Sequence, residues 1–266
     1  VSEQERRMGG RSRSTRQQRI VEHVLAQGSA SSAELVELTG VSLMTVHRDV
    51  DELARRGLVR KYRGGVSAQP TSVFESHSDY RRSVRRAEKE AIARAALDFV
   101  EPGSSIMLDD STSALALAHL LDDVGPLTVV TNYLPAVDVL KGLPEVRLIA
   151  LGGDYSRTHD SFNGIACTES IAAMAVDLAV VSTSSMTGSM TYHQEQEVVV
   201  VKRAMLDAAA RSVLLMDSSK SPRRALHRLR PVDAFDAVVV DAGTDPAVLS
   251  EMREHTAVTV APAPGG

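Results

Sequence analysis

The stretch VSLMTVHRDVDELARRGLVRKYRGGV, residues 41–66, joins a helical pattern directly to an extended one. Val46, Val50 and Leu53 recur at i, i+4 and i+7, the spacing of a helix that buries one side. At about 100° per residue, Arg48 then lies roughly 200° from Val46 and points outward, with Met44 and Arg55 nearby and Thr45 and His47 flanking that face. Ser42 precedes the stripe as the expected N-cap, and Gly57 closes it. LVRKY, the Gly64-Gly65 turn and a resumed strand then read as a hairpin, with Arg60, Lys61 and Arg63 beside the turn and Tyr62 expected to pack on the helices.

Upstream, RQQRIVEHVLAQG places Ile20, Val24 and Leu25 at helical spacing, with Gly28 as the stop. In SSAELVELTG, Ser31 or Ser32 caps a short helix, Leu35 and Leu38 form its apolar side, and Gly40 ends it. Three short helices followed by a basic hairpin is the layout of a winged helix-turn-helix. A third helix entering the major groove of duplex DNA by its N-terminal end presents Ser42, Met44, Thr45, His47 and Arg48 to base edges and phosphates. Arg60 and Arg63 on the hairpin then reach phosphates or the adjacent minor groove. His47 reads equally well as a solvated surface histidine.

Charge follows the same division. Residues 1–90 hold 17 Lys and Arg against 12 Asp and Glu, and the remainder 13 against 22, so a front of net +5 hides within an overall −4. A basic front and an acidic back assign any polyanion binding to the front. At 266 residues two domains are expected. The divisions are a lead without order at 1–14, a winged helix-turn-helix at 15–66, a polar linker at 67–90 and an α/β domain at 91–266. The arginines of the linker are read as a solvated face.

With 43% hydrophobic and 24% charged residues, the chain has the composition of a soluble protein with a sizeable core. Aromatics are 3% and tryptophan is absent, so that core is expected to be aliphatic. The single cysteine, Cys167, excludes an internal disulfide framework and fits a reducing compartment. No apolar run has the length of a membrane span, and VSEQERRMGGRSRS lacks the apolar core of a signal peptide, so a cytoplasmic location is expected. The histidines and the cysteine show neither HxxxH nor CxxC spacing, so neither a metal nor a cofactor is expected.

From Ile92 onward, apolar runs alternate with Ala/Leu-rich helical stretches. The runs are SIMLD, LTVVTN, VRLIALGG, DLAVVS, SVLLMD, AVVVDAG and AVTVAP. This rhythm means βαβ units and a parallel sheet buried on both faces. Ligands of such sheets collect beyond the carboxyl ends of the strands. There the sequence places Asp109 with Ser111, Thr112 and Ser113, then Thr131 and Asn132, Gly152 and Gly153, and finally Asp217, Ser219 and Lys220. Hydroxyls before a helix form a phosphate cradle or merely cap the helix. Thr131 and Asn132 are suited to a polyol, the glycines to close backbone approach, and Lys220 to an anion.

Residues 41–66 resemble the N-terminal signature of the DeoR family of bacterial regulators, roughly V-S-x-x-T-[IV]-R-R-D-[LV]-x-x-L-x-x-x-G followed by R-x-x-G-G. Ser42, Thr45, Val46, Arg48, Asp49, Leu53, Gly57, Gly64 and Gly65 fall on the pattern, and His47 stands where a second arginine is usual. SIMLDDSTS, LTVVTNYLPAVDVL, VRLIALGGDY with Gly164 following, VVVVKRAMLDAA and LLMDSSK resemble the effector domain of the same family, which is similar in fold to ribose-5-phosphate isomerase and glucosamine-6-phosphate deaminase. The resemblance runs from Arg16 to about Gly243. It implies a repressor of sugar metabolism genes, with operator DNA and a sugar or sugar phosphate as partners and a homodimer or homotetramer as the working form. It also implies that Ser111, Thr112 and Ser113 hold the phosphate with support from Lys220, while Asp109 and Asn132 contact the sugar. Asp110 and Ser111 stand where the family often shows Ser-Gly or Gly-Gly, and a carboxylate there opposes a phosphate unless it points away. An unphosphorylated sugar is the other reading.

The competing expectation is a sugar-phosphate isomerase or deaminase carrying a DNA-binding module, with His159, Asp160, His193, Glu195 and Glu197 as proton carriers. TNYLP lacks the acidic residue that the related deaminases place after this strand, and HQEQE is explained as the exposed start of a helix. The reading as a regulator without catalysis is preferred.

Overall fold

Two sets of buried aliphatic side chains organise the chain into two compact units, residues 1–84 and 85–266. The computed structural model describes residues 3–55, 58–68, 71 and 74–263, with side chains from residue 15 onward. Gly57 and Pro70 lie outside the described residues.

In the N-terminal unit, α1 (Glu3–Gln27), α2 (Ser32–Thr39) and α3 (Leu43–Arg55) pack through Ile20, Val24, Leu35, Val46, Val50 and Leu53, all buried. The anticipated cap of α2 is Ser31, which forms a capping box with Glu34, and Gly40 closes the helix in the left-handed conformation. Asp49, one turn from Val46 on the inner side of α3, is buried and accepts from Arg16 Nε at 2.5 Å and Gln17 Nε2 at 3.1 Å, tying α1 to α3. The hairpin is β2 (Arg60–Tyr62) and β3 (Gly65–Ser67), antiparallel. A third strand, β1 (Ser29–Ser31), pairs with β3 and was not anticipated, because SAS carries no strand pattern.

The helix α1 runs back to Glu3, into the segment read as a lead; a helix already anchored by Ile20 and Val24 extends upstream at far less cost than a new one nucleates. One expectation fails here. Tyr62 was expected to pack on the helices, yet it is 42% exposed, because it sits in the outermost of three short strands. Within the segment read as a linker lies α4 (Ser78–Ser83).

The C-terminal unit opens with α5 (Arg86–Ala96), followed by β4 (Ser105–Leu108), α6 (Thr112–Ala118), β5 (Leu127–Thr131), α7 (Leu134–Leu140) and β6 (Val146–Ala150). Next come a hairpin of β7 (Asp154–Ser156) and β8 (Ser161–Asn163), then α8 (Gly164–Ala172), β9 (Val176–Val181), β10 (Ser185–Met186), β11 (Met190–His193) and α9 (Gln196–Asp207). The unit ends with β12 (Ala209–Met216), β13 (His227–Pro231), β14 (Ala237–Asp241), α10 (Pro246–Arg253) and β15 (Ala257–Ala261). The seven apolar runs of the sequence are the seven strands of one parallel sheet, in the order β15-β14-β12-β9-β4-β5-β6.

Period-two alternation divides the sheet's side chains. Ile106, Leu108, Val129, Leu178, Val180, Val213, Leu215 and Val239 face the layer of α5, α6 and α7. Met107 and Val130 meet Cys167 and Ile171 of α8 and Val201 and Met205 of α9, while Leu214, Met216, Val238 and Val240 meet Val248 and Met252 of α10. Both faces are therefore covered, so the strands read as continuous apolar runs. Each fully buried Leu, Ile or Val contributes about 1.5–3 kcal/mol of transfer free energy.

The chain lays β5 and β6 on one side of β4, then returns to place β9 on the other. Such a reversal marks the place, beyond the carboxyl ends of β4 and β9, where ligands of this architecture sit. A smaller antiparallel sheet, β10-β11-β13, stands apart from the main one. Arg203 of α9 holds it by donating to Leu229 O at 3.0 Å and Arg228 O at 2.8 Å.

Candidate functional site

Two surfaces carry polar groups that packing alone does not require. On the N-terminal unit, Ser42 immediately precedes α3, and its carbonyl accepts from Val46 N–H at 3.0 Å. The Ser42 hydroxyl lies 3.0 Å from that of Thr45, so these two side chains partner each other. Ser42, Met44, His47, Arg48 and Arg55 are exposed and Thr45 is half-buried, as a helix with Val46, Val50 and Leu53 inward demands. Beside this face stands the hairpin, joined to α3 by an ion pair between Lys61 and Asp51. Arg63 is exposed on the turn. Arg60 is half-buried, and its Nε has no partner among the described residues. Arg48 on the helix and Arg63 on the hairpin turn are both exposed.

On the C-terminal unit, the centre of the site is a residue the sequence reading passed over. Lys202 projects from the buried side of α9 and donates to Asp109 Oδ2 at 2.5 Å and Asp110 Oδ1 at 2.7 Å. All three side chains are buried. Burial alone lowers the basicity of such an ammonium, but the two carboxylates, through charge and hydrogen bonds, override it and hold Lys202 above the usual lysine range. Asp109 also accepts from Ser111 N–H at 3.1 Å and, from the segment that follows β9, from Ser182 N–H at 2.7 Å. Asp110 accepts from the Ser161 hydroxyl at 3.0 Å.

Asp109, read as a sugar contact, has both oxygens engaged inside the protein. Asp110, read as a carboxylate opposing a phosphate, is turned inward and paired with Lys202. A lysine one turn from Val198 and Met205 on an otherwise apolar stripe was the available signal. Its partners lie about ninety residues away in the chain, so local periodicity did not reveal them.

Around this floor the carboxyl ends of adjacent strands supply the rim. Ser111 caps α6, its hydroxyl accepting from Ala114 N–H at 3.0 Å. Thr112 and Ser113 are buried in the first turn, and the Ser113 hydroxyl has no partner among the described residues. Thr131 accepts from Tyr133 N–H at 3.1 Å. Asn132 donates from Nδ2 to Phe162 O at 2.8 Å, which fixes the amide's orientation and leaves its buried Oδ1 without a partner among the described residues. Lys220 donates to the Ser182 hydroxyl at 2.9 Å and lies 3.6 Å from Asp217. Burial pushes the Asp217 carboxyl up, but Lys220, Ser219 and Lys89 outweigh it and hold the group below the usual range.

Hydrogen bonds through Ser182 therefore connect Asp109 to Lys220, Asp109 in turn holds Ser111 N–H, and Thr131 and Asn132 stand at the end of the next strand. Gly152 and Gly153 follow the edge strand β6. At Gly153 a Cβ would lie 2.2 Å from Asn163 O, and its φ of +146° disfavours any side chain, so the backbone packs closely there. Gly152 faces open space.

Of the proton-carrier candidates, His159 is buried with Nε2 3.0 Å from Glu195 and Nδ1 3.7 Å from Asp110, and its ring stands 5.7 Å from that of His193. Asp160 accepts from the Tyr155 hydroxyl at 2.7 Å. HQEQE was expected to be exposed throughout; His193 and Gln194 are buried, because β11 extends through His193, and exposure begins at Gln196. A cavity of about 800 Å³ lies beside these groups, lined by Asp154, Thr168, Glu195, Glu197 and Val200 among others.

Comparison with known proteins covers both units. Residues 16–71 match the DeoR-like helix-turn-helix domain, and residues 84–242 match the DeoR C terminal sensor domain. The glycerol-3-phosphate regulon repressor of Escherichia coli is 31% identical, over 89% of this chain and 94% of its own length. The L-fucose operon activator of Haemophilus influenzae is 29% identical, over 92% of this chain and 98% of its own. Among solved structures, a D-ribose-5-phosphate isomerase in complex with phospho-erythronic acid aligns with a TM-score of 0.37 at 15% identity, over 50% of this chain and 52% of that one. A likeness of that size carries no argument about chemistry.

Proposed function

Because this chain belongs to the DeoR family of transcriptional regulators, we propose that it represses sugar metabolism genes, its N-terminal unit holding operator DNA and its C-terminal unit sensing a sugar phosphate. It works where its DNA is, in the cytoplasm. The DNA-contacting set is Ser42, Met44, Thr45, His47 and Arg48 on α3, with Arg60 and Arg63 on the hairpin. One operator read by α3 needs two such heads, because a single head with so few basic groups binds weakly at physiological salt. Light scattering of the full chain should therefore report at least a dimer; a monomer at micromolar concentration counts against this.

One observation carries the sensing role. The Ser113 hydroxyl and the Asn132 amide oxygen are buried at the carboxyl edge of the sheet without protein partners among the described residues. Leaving such groups unsatisfied costs about 1–3 kcal/mol each, and a ligand carrying both an anion and hydroxyls satisfies both: phosphate accepts from serine, and a sugar hydroxyl donates to the amide. In this reading Ser111, Thr112, Ser113 and Lys220 surround the phosphate and Thr131 and Asn132 the sugar, with Gly152 and Gly153 at the margin. Asp109, Asp110 and Lys202 position the loop from beneath. We infer binding without turnover, as in the transcriptional regulators to which this chain is similar over most of its length.

The test begins with a thermal-shift screen of sugars and sugar phosphates, in which a specific stabiliser identifies the effector. Operator affinity is then titrated with and without that compound. Ser113→Ala removes a hydroxyl that has no partner among the described residues, so the variant should keep its operator affinity and lose the response, which in the wild type is expected to be about 5- to 150-fold. An undiminished response in Ser113→Ala places the effector elsewhere. Conversion of the compound during incubation with the protein restores the enzymatic alternative.

A further inference from the structure

Large apolar side chains are scarce on the described surface of the N-terminal unit, and their placement is not random. The exposed ones there are Leu43, Met44 and Tyr62, at 49%, 71% and 42%. Leu43 and Met44 are the first two residues of α3, and Tyr62 is on the hairpin. A single exposed aliphatic residue needs no explanation. Two in succession at the tip of one helix, with none elsewhere on the described helical surface of the unit, do call for one. At 100° per residue Met44 lies in line with Arg48 one turn on, so an element presenting Arg48 to a groove presents Met44 with it.

Resting on the reading of α3 as the recognition helix, we propose that Met44, with Leu43 beside it, packs against the 5-methyl group of thymine in each operator half-site and so sets base preference there. Neither side chain donates or accepts a strong hydrogen bond, so neither reads a base edge by polar contact. The sole apolar feature of the major-groove edges is the thymine methyl, which distinguishes T·A from the other three pairs. The flexible, polarisable thioether adapts to it without exact registry. Burying it removes from water two apolar surfaces that are otherwise both exposed, a gain that cytosine or a purine at that position does not supply.

The experiment selects an operator from a pool of random duplexes with the full-length protein, then replaces each thymine in turn by deoxyuridine, which deletes only the methyl group. Wild type should lose about fourfold in affinity at one or two thymines per half-site, the equivalent of one buried methyl. Met44→Ala, or Met44→Ala with Leu43→Ala, should bind more weakly and no longer distinguish thymine from deoxyuridine there. Both side chains are exposed, so the variants keep the fold. An operator in which no thymine methyl matters, or a methyl effect that persists undiminished in the double variant, overturns the proposal. Arg48→Ala measured on the same duplex separates the two readings: unchanged affinity rejects the recognition helix itself, whereas weakened affinity with methyl-blind binding rejects only the thymine contact.

Discussion

Lys202→Met should lower the stability of the C-terminal unit by about 3–5 kcal/mol, because it leaves two buried carboxylates facing each other without their cation. Asp109 and Asp110 both bond to this ammonium and both are buried. The chain supplies its own probe for the measurement. Cys167 is its only cysteine, lies buried under the sheet in the same unit, and has its thiol pushed up to about 11 by burial and by the Asp110 charge. Alkylation of Cys167 along a urea series thus reports the unfolding of this unit separately from the other. Adding Asp109→Asn and Asp110→Asn to Lys202→Met should recover part of the loss; an unaltered urea midpoint in the single variant shows that the lysine is not the counter-ion. The pH dependence has a definite sign. A lysine whose folded value is raised contributes fully below its unfolded value of about 10.4, and the contribution fades as pH rises through the higher folded value.

Arg48→Ala should weaken operator binding by about 1–3 kcal/mol, roughly 5- to 150-fold, with the C-terminal unit intact. Arg48 is exposed in line with Met44, opposite the buried Val46, Val50 and Leu53, so its loss removes nothing from the core. Titration at several salt concentrations tells what it touches. A phosphate contact reduces the salt slope by about one for each such contact and affects all sequences alike, whereas a base contact relaxes preference at one position. If affinity is unchanged in a folded variant, α3 does not read the operator.

The parallel sheet was legible because each of its strands is an unbroken aliphatic run between helices, a pattern that burial on both faces imposes. The helix-turn-helix was legible for a similar reason, since its stripe and its caps lie within a few residues of each other. What escaped was too short or too distant to leave a local pattern. The hairpins of DYS with SFN and of SM with MTYH are local but short and polar, while HRLRP joins MTYH only across the fold. Lys202 and Asp49 escaped likewise, each a charge on a buried helix face whose partner lies far away in sequence. The rim residues could be placed at one sheet edge from sequence alone, but not which of them turn inward. Asp109 and Asp110 are adjacent, and it is the lysine beneath them that decides where both point.

Lys202 and its neighbour Arg203 grip different bodies. The first holds the loop after β4, while the second holds the backbone of β13 in the outlying sheet. Adjacent side chains diverge by about 100° around a helix that is itself stiff. The helix α9 therefore ties the loop at Asp109 and Asp110 to the outlying sheet through two neighbouring side chains.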